Sequence, residues 1–230
     1  MDHGVWPATA IPRRKGLDLQ MSGLMMVRYR LDPGPSRFTV QAFAAGFLSV
    51  FGHSPTFAAR RFAGSIDLPA GTSAAGKIEL TIQAGSLDVI DKMNIADRME
   101  IEQRLRDDLF EISVFPEIRF EANEVHATRL ANERAGLRIS GRLELHGVSK
   151  CNETEAQLLQ YEDGIRILGE SKVKLSDFGI RQVTALGGAI KLKDEVRVEF
   201  DLIAWKEHVR NENSESSPDL DRVHREHIPG

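Results

Sequence analysis

The sequence predicts an all-β fold: an antiparallel sheet of about eight or nine strands closed into a barrel, with one amphipathic helix covering an end. Three observations predict it. Apolar and polar residues alternate along most of the chain, which is the pattern of a strand whose side chains point to two faces in turn. Each alternating segment keeps one apolar and one polar face, as antiparallel sheets do and doubly buried parallel sheets do not. One face wet and one dry over so many strands calls for closure, which also removes exposed edges.

Taken in order, Phe38 and Val40 are the first residues read as inward-facing. Phe62, Ile66 and Leu68 share one face of FAGSIDLP. In Lys77–Gly85, Ile78, Leu80, Ile82 and Ala84 oppose Glu79, Thr81 and Gln83. The rhythm then breaks. In Asp97–Phe110, DRMEIEQRLRDDLF, Ile101, Leu105 and Leu109 recur at i, i+4. Asp97 followed by Glu100 resembles a capping box, so the segment predicts a helix of about three turns. Pro116 precedes the strand EIRFEA, where Ile118 and Phe120 share a face. In Ala135–His146, Leu137, Ile139, Leu143 and Leu145 oppose Arg138, Arg142, Glu144 and His146. Glu162–Asp163–Gly164 reads as a turn, followed by Ile165, Ile167, Val173 and Leu175 on one face. Last, Val196, Val198, Phe200 and Leu202 oppose Glu195, Arg197, Glu199 and Asp201.

Length and composition set the limits. The chain has 230 residues, 41% hydrophobic and 28% charged, as expected of a globular protein with one large all-β domain or two small ones. A formal charge of -4, with basic residues scattered, gives no reason to expect nucleic acid as a partner. One cysteine excludes an internal disulfide framework and fits a reducing compartment. Residues 1–25 contain Pro7, Pro12, Arg13, Arg14, Lys15 and Asp18, which interrupt any apolar run, so they read as a disordered extension without a secretory signal. Met21, Met25 and Met26 are each plausible starts. Residues 206–230 read as a polar, solvated tail, and 26–205 as the barrel. A cytoplasmic location is the expectation.

The stretch LELHGVSKCN, Leu143–Asn152, sets a histidine five residues from the only cysteine. Parity puts His146 with Arg142 and Glu144, facing solvent or a neighbour on the outer surface, and Gly147 is the turn. No second cysteine or nearby histidine pair completes a zinc site. A cysteine nucleophile would need a base and an oxyanion hole around a pocket. The stretch reads as a strand-turn-strand junction, with no catalytic residue and no metal. SDFGI, Ser176–Ile180, lacks the other kinase motifs and reads as a strand end turning at Gly179 with Phe178 packed inward. There is no P-loop or dinucleotide fingerprint, and no cofactor is expected.

The chain as a whole resembles the YceI-like polyisoprenoid-binding family. The resemblance runs from about Arg28 to Trp205, through YRLDPGPSRFTVQAF, FAGSIDLP, LFEISVFPEIRFEAN, ISGRLELHGVSK, LSDFGI and VRVEFDLIA. No one of these is specific; their order and spacing together are. The resemblance implies a lipocalin-like barrel with the helix at one end and a long apolar cavity that takes an isoprenoid or similar lipid. Many family members carry a signal peptide and are periplasmic, and this chain shows none. FAAGFLSVFGHSPTF is more apolar than the usual strand pair there.

The expected function is therefore non-catalytic binding, storage or transport of a long-chain isoprenoid. An enzyme acting on such a lipid, or a solid barrel serving as an interaction module, are the alternatives. The ligand-lining candidates are Phe38, Val40, Phe62, Ile66, Ile78, Leu80, Ile82, Phe120, Ile139, Leu143, Ile167, Val173, Phe178, Val198 and Phe200. Parity alone does not tell a cavity wall from a packed core. Burying about ten CH2 groups at roughly 0.8 kcal/mol each offers about 8 kcal/mol gross, so binding needs no polar anchor. His53 either touches a head group or satisfies a turn, with the turn preferred. Arg60, Arg61 and Arg181 are candidates for a phosphate at the mouth, against the blander reading of a solvated face. Phe43–Phe51, FAAGFLSVF, has lost the alternation and is read as a portal or contact surface, the alternative being that it completes the core. Transient membrane contact and a homodimer both stay open.

Overall fold

The computed structural model describes residues 26–45, 54–69, 76–131, 133–181, 184–185 and 190–207. His53, residues 46–51 of the expected portal, and nearly all of both expected tails lie outside them. Eleven antiparallel strands are described: β1 (Met26–Ala45), β2 (Thr56–Ala59), β3 (Phe62–Pro69), β4 (Lys77–Gln83), β5 (Leu87–Val89), β6 (Glu117–Ala131), β7 (Arg134–Leu145), β8 (Val148–Gln160), β9 (Gly164–Lys174), β10 (Thr184–Ala185) and β11 (Ile190–Lys206). Eight of them close a ring in the order β1-β3-β4-β6-β7-β8-β9-β11, with β11 pairing back onto β1. The short β2 and β5 extend from the far half of β1, and β10 lies on β11.

The closing seam contains a corner. The β1–β11 register jumps from Asp32 opposite Ile203 to Arg37 opposite Asp201. Asp32-Pro33-Gly34-Pro35-Ser36 bulges out there, and its side chains replace ladder bonds. The buried Ser36 hydroxyl donates to the Asp32 carbonyl and accepts from Ile203 N at 2.9 Å. The Asp32 carboxylate accepts from Gly34 N and from the Trp205 indole, each at 3.0 Å. On the outer face, Arg166 of β9 grips Asp201 of β11 through two bonds of 2.7 and 2.6 Å, diagonally across the pair.

The helix α1 (Ile95–Arg104) starts two residues before the expected boundary. Asn94, not Asp97, is the cap: its side chain accepts from Asp97 N at 2.8 Å, and its amide reaches the Asp97 carboxylate. The cap bond is the one that sequence placed three residues later, but the return bond runs between the two side chains and not to the cap's backbone N–H. Arg98 donates to the Val89 and Asp91 carbonyls, and Glu102 accepts from Val89 N at 3.1 Å, so α1 is tied to the end of β5. The helix then widens by one residue over Leu105–Leu109, where Phe110 N bonds back to Leu105 O at 3.0 Å. Nothing in α1 itself is buried, whereas Leu105, Leu109 and Phe110 are. The widened last turn delivers those three side chains over the barrel end.

Three other expectations are corrected. β7 ends at Leu145, so His146 does not continue its parity. His146 and Gly147 have φ of 52° and 70° and form the tight turn into β8. The His146 ring packs on Phe115 at a 4.5 Å centroid distance, with only 17% of the side chain exposed. Phe43 belongs to β1, because a bulge between Ala42 and Ala44 restores pairing with β11; its ring lies 5.7 Å from the Arg197 guanidinium. β11 runs to Lys206, and Glu207 N donates to Arg28 O at 2.9 Å, so the barrel outlasts residue 205. Cys151 is exposed on β8 opposite Arg142, as its polar neighbours implied. Phe178 is buried in the 3-10 turn Leu175–Phe178, which Gly179 ends at φ 72°.

Candidate functional site

The barrel interior has two halves. One is solid: Tyr29, Ala122, Val125, Ala135, Leu137, Ala156, Leu158, Ile165 and Ala204 form a buried cluster, and none of them lines the apolar cavity of the other half. Four alanines there let opposite walls come together. The same packing pushes the Tyr29 hydroxyl's pKa up, because burial disfavours its anion. The other half is hollow. A cavity of about 170 Å³ lies between Ile66, Ile78, Ile139 and Ile167 on the side of the solid cluster and Leu105, Leu109 and Phe110 under the helix.

Glycines make part of that room. Gly169 lies opposite Phe200 in the β9–β11 ladder, and a Cβ on it would stand 2.5 Å from the Phe200 ring. Gly141 holds the Phe120 ring in the same way, at 2.6 Å. Both rings therefore fold flat onto the wall instead of filling the centre. Phe38 and Phe62 meet at 6.5 Å between centroids at another part of the wall.

The lining is apolar apart from Asn152, Thr154 and Ser171, and among the described residues it holds no Asp, Glu, His, Lys or Arg. The polar three are bonded together: Thr154 Oγ1 lies 2.9 Å from Asn152 Oδ1 and 3.1 Å from Ser171 Oγ. Among the described residues, no three His, Cys, Asp or Glu side chains gather as a metal would require.

The match to known proteins covers the ring from seam to seam: the YceI-like domain family matches residues 29–204. This chain belongs to the YceI-like family. Its structure resembles that of Burkholderia cenocepacia BcnA, with a TM-score of 0.59 at 20% identity, covering 75% of this chain and 98% of the other. It also resembles a polyisoprenoid binding domain from Saccharophagus degradans implicated in plant cell wall breakdown, with a TM-score of 0.58 at 18% identity, covering 78% and 98%. At these identities the structures share the fold. No curated protein matches the chain.

In this YceI-like barrel all the ligand-lining candidates except Phe62 and Phe178 line the cavity. Those two are buried in the surrounding core, Phe62 behind Phe38 and Phe178 in the 3-10 turn. Arg60, Arg61 and Arg181 are exposed and do not line this cavity; Arg60 sits 3.5 Å from Asp88. His146 and Cys151 are given separate surroundings, the Phe115 ring and solvent. Sequence reading missed Asn152, Thr154 and Ser171. Parity would have found them, since Asn152 and Thr154 alternate in register with the buried Ala156 and Leu158, and Ser171 with Ile167 and Val173.

Proposed function

We propose that this protein is a non-catalytic carrier or store that holds an isoprenoid or similar apolar chain in the hollow half of its barrel. One observation carries the reading: a space walled by apolar side chains, without a charged group among its described lining residues, between a solid floor and the end of a helix. Such a site gains free energy from nearly any hydrocarbon it removes from water and offers no acid or base to act on it. The S. degradans relative, described as polyisoprenoid-binding, supports the same ligand class. A volume near 170 Å³ holds about one or two isoprene units without movement. A longer tail has to widen the space.

The test is native mass spectrometry and solvent extraction of the purified protein, followed by thermal unfolding with added prenyl chains. The expected result is a bound lipid mass, or a stabilisation of roughly 2.7 kcal/mol at a hundred times the dissociation constant. No extracted lipid together with no rise in Tm from any prenyl chain sinks the proposal.

A further inference from the structure

The helical cover over the hollow half is held at two ends, and one of the two holds can change its charge. At the front, Arg98 and Glu102 tie α1 to the end of β5. At the rear, the chain leaves Phe110 through a turn in which Val114 N and Phe115 N donate to the Glu111 carbonyl at 2.8 and 2.9 Å. That turn sets the Phe115 ring against the β7–β8 turn. The ring packs on His146, and it comes so near Gly147 that a Cβ there would stand 2.6 Å from it. Glu111 and His146 both have left-handed backbones, at φ 44° and 52°. Residues other than glycine keep that conformation where the surrounding contacts impose it, so two strained residues meeting here mark a fitted junction.

One nitrogen at this junction is buried without a partner. His146 Nε2 is shut off from solvent and hydrogen-bonds to nothing among the described residues. Among those residues, the Glu111 carboxylate is the one acid at ion-pair distance from the ring, 3.4 Å away and not aligned as a hydrogen bond. Charged groups on the other packed elements are directed elsewhere. Glu117 of β6 bonds Gln83 and Arg119, Glu144 of β7 stands opposite Arg119, and Lys150 of β8 is exposed. Arg106, whose carbonyl accepts from Ile112 N, reaches Glu102 and Asp88. We infer that His146 is a pH-dependent latch on the cover: carrying its proton, it pairs with Glu111 and holds the rear of the cover against the β7–β8 turn, and without the proton the cover opens more often. Histidine side chains ordinarily gain their proton as pH falls from 8 to 5, a range in which carboxylates ordinarily remain ionised. A partner that favours the protonated ring stabilises the closed junction below the histidine range and ceases to do so as pH rises through it. The effect is modest, since 49% of the Glu111 side chain is exposed. His146 does not line the cavity, so it is a positioning residue that acts through the stem carrying Leu105, Leu109 and Phe110. That the cover gates a ligand rests on the container reading above; the latch itself does not.

The experiment is hydrogen–deuterium exchange of the Leu105–Phe115 amides at pH 5.5 and 7.5, corrected for the pH dependence of free amides. Wild type is compared with Glu111→Gln and His146→Asn, the second chosen because Asn-Gly suits the same left-handed turn. Protection of the segment in wild type should rise about threefold from pH 7.5 to 5.5, as an exposed ion pair allows, and neither variant should show the rise. Release of diphenylhexatriene, a neutral probe, measured by stopped flow, should slow by a similar factor in acid in wild type alone. No rise in wild type, or an equal rise in Glu111→Gln, overturns the latch. A merely structural His146 contact would lower protection in His146→Asn equally at both pH values and leave Glu111→Gln like wild type, which overturns it too. Glu111→Gln decides without the other variant, so the result does not depend on His146→Asn folding. If diphenylhexatriene fails to bind, the container reading loses support, while the amide exchange still decides the latch.

Discussion

Gly169 is where one missing methyl group keeps space open in the barrel. The Phe200 ring occupies the place of its side chain, with 2.5 Å between the ring and a notional Cβ. Gly169→Ala has to turn that ring into the cavity or strain the strand, and should lower stability by about 1–3 kcal/mol, read from the denaturant midpoint. An unchanged midpoint with unchanged ligand capacity would show that the ring has room elsewhere. His146 is a second single-residue case. Its left-handed turn conformation swings the ring onto Phe115 instead of into solvent. His146→Ala should lose roughly 1 kcal/mol, while Cys151→Ser, on the exposed face of β8, should stay within about 0.5 kcal/mol. Equal effects of the two in thermal melts would mean that the Phe115 contact contributes nothing.

At the scale of elements, the helix and its widened last turn decide whether the hollow is covered. Leu109 is 4% exposed and lines the cavity from above. Leu109→Ala should cost about 2–4 kcal/mol as a core truncation, and a loss well under 1 kcal/mol in urea would show that the turn only rests on the rim. Between strands, the Asp201–Arg166 clamp makes a pH prediction. The bidentate bonds from Arg166 hold the Asp201 carboxyl below the usual carboxylate range. A depressed folded value stabilises at neutral pH, and that contribution disappears as pH falls through the folded value. Asp201→Asn should therefore melt below wild type at neutral pH, by less than a core truncation since both partners are partly exposed, and the two curves should converge in acid below about pH 4. A constant gap across that range would remove charge as the reason for the pair. These elements also show what sequence could reveal. Alternation located the long strands and the inward face of β7 and β11, because a period of two survives wherever one side is dry. It missed the Asn94 cap because two acceptable capping residues lie three apart, and only the tie from Arg98 to the end of β5 distinguishes them. It missed the polar three because an inward face is recognised in sequence by apolar side chains, and Asn152, Thr154 and Ser171 are inward and polar.

For the whole molecule, the interior is neither a solid core nor an open tube. Strand alternation is identical in the two halves, and the difference lies in side-chain size and in cross-strand partners. Alanines 122, 135, 156 and 204 bring one half together, and the paired Phe–Gly contacts at 120 with 141 and 200 with 169 hold the other apart. That arrangement became visible only once the register was known. The hollow half is central to the proposed function, and filling it is the most direct test. Val198 lines the cavity from β11 and is only partly buried. A prenyl chain should be titrated into Val198→Phe and wild type by calorimetry, with Tm recorded for both. A ring in that space should weaken binding by about a hundredfold or more, while Tm stays level or rises because a void has been filled. A folded Val198→Phe protein that binds the chain with wild-type affinity would contradict an internal site and place the ligand outside the barrel.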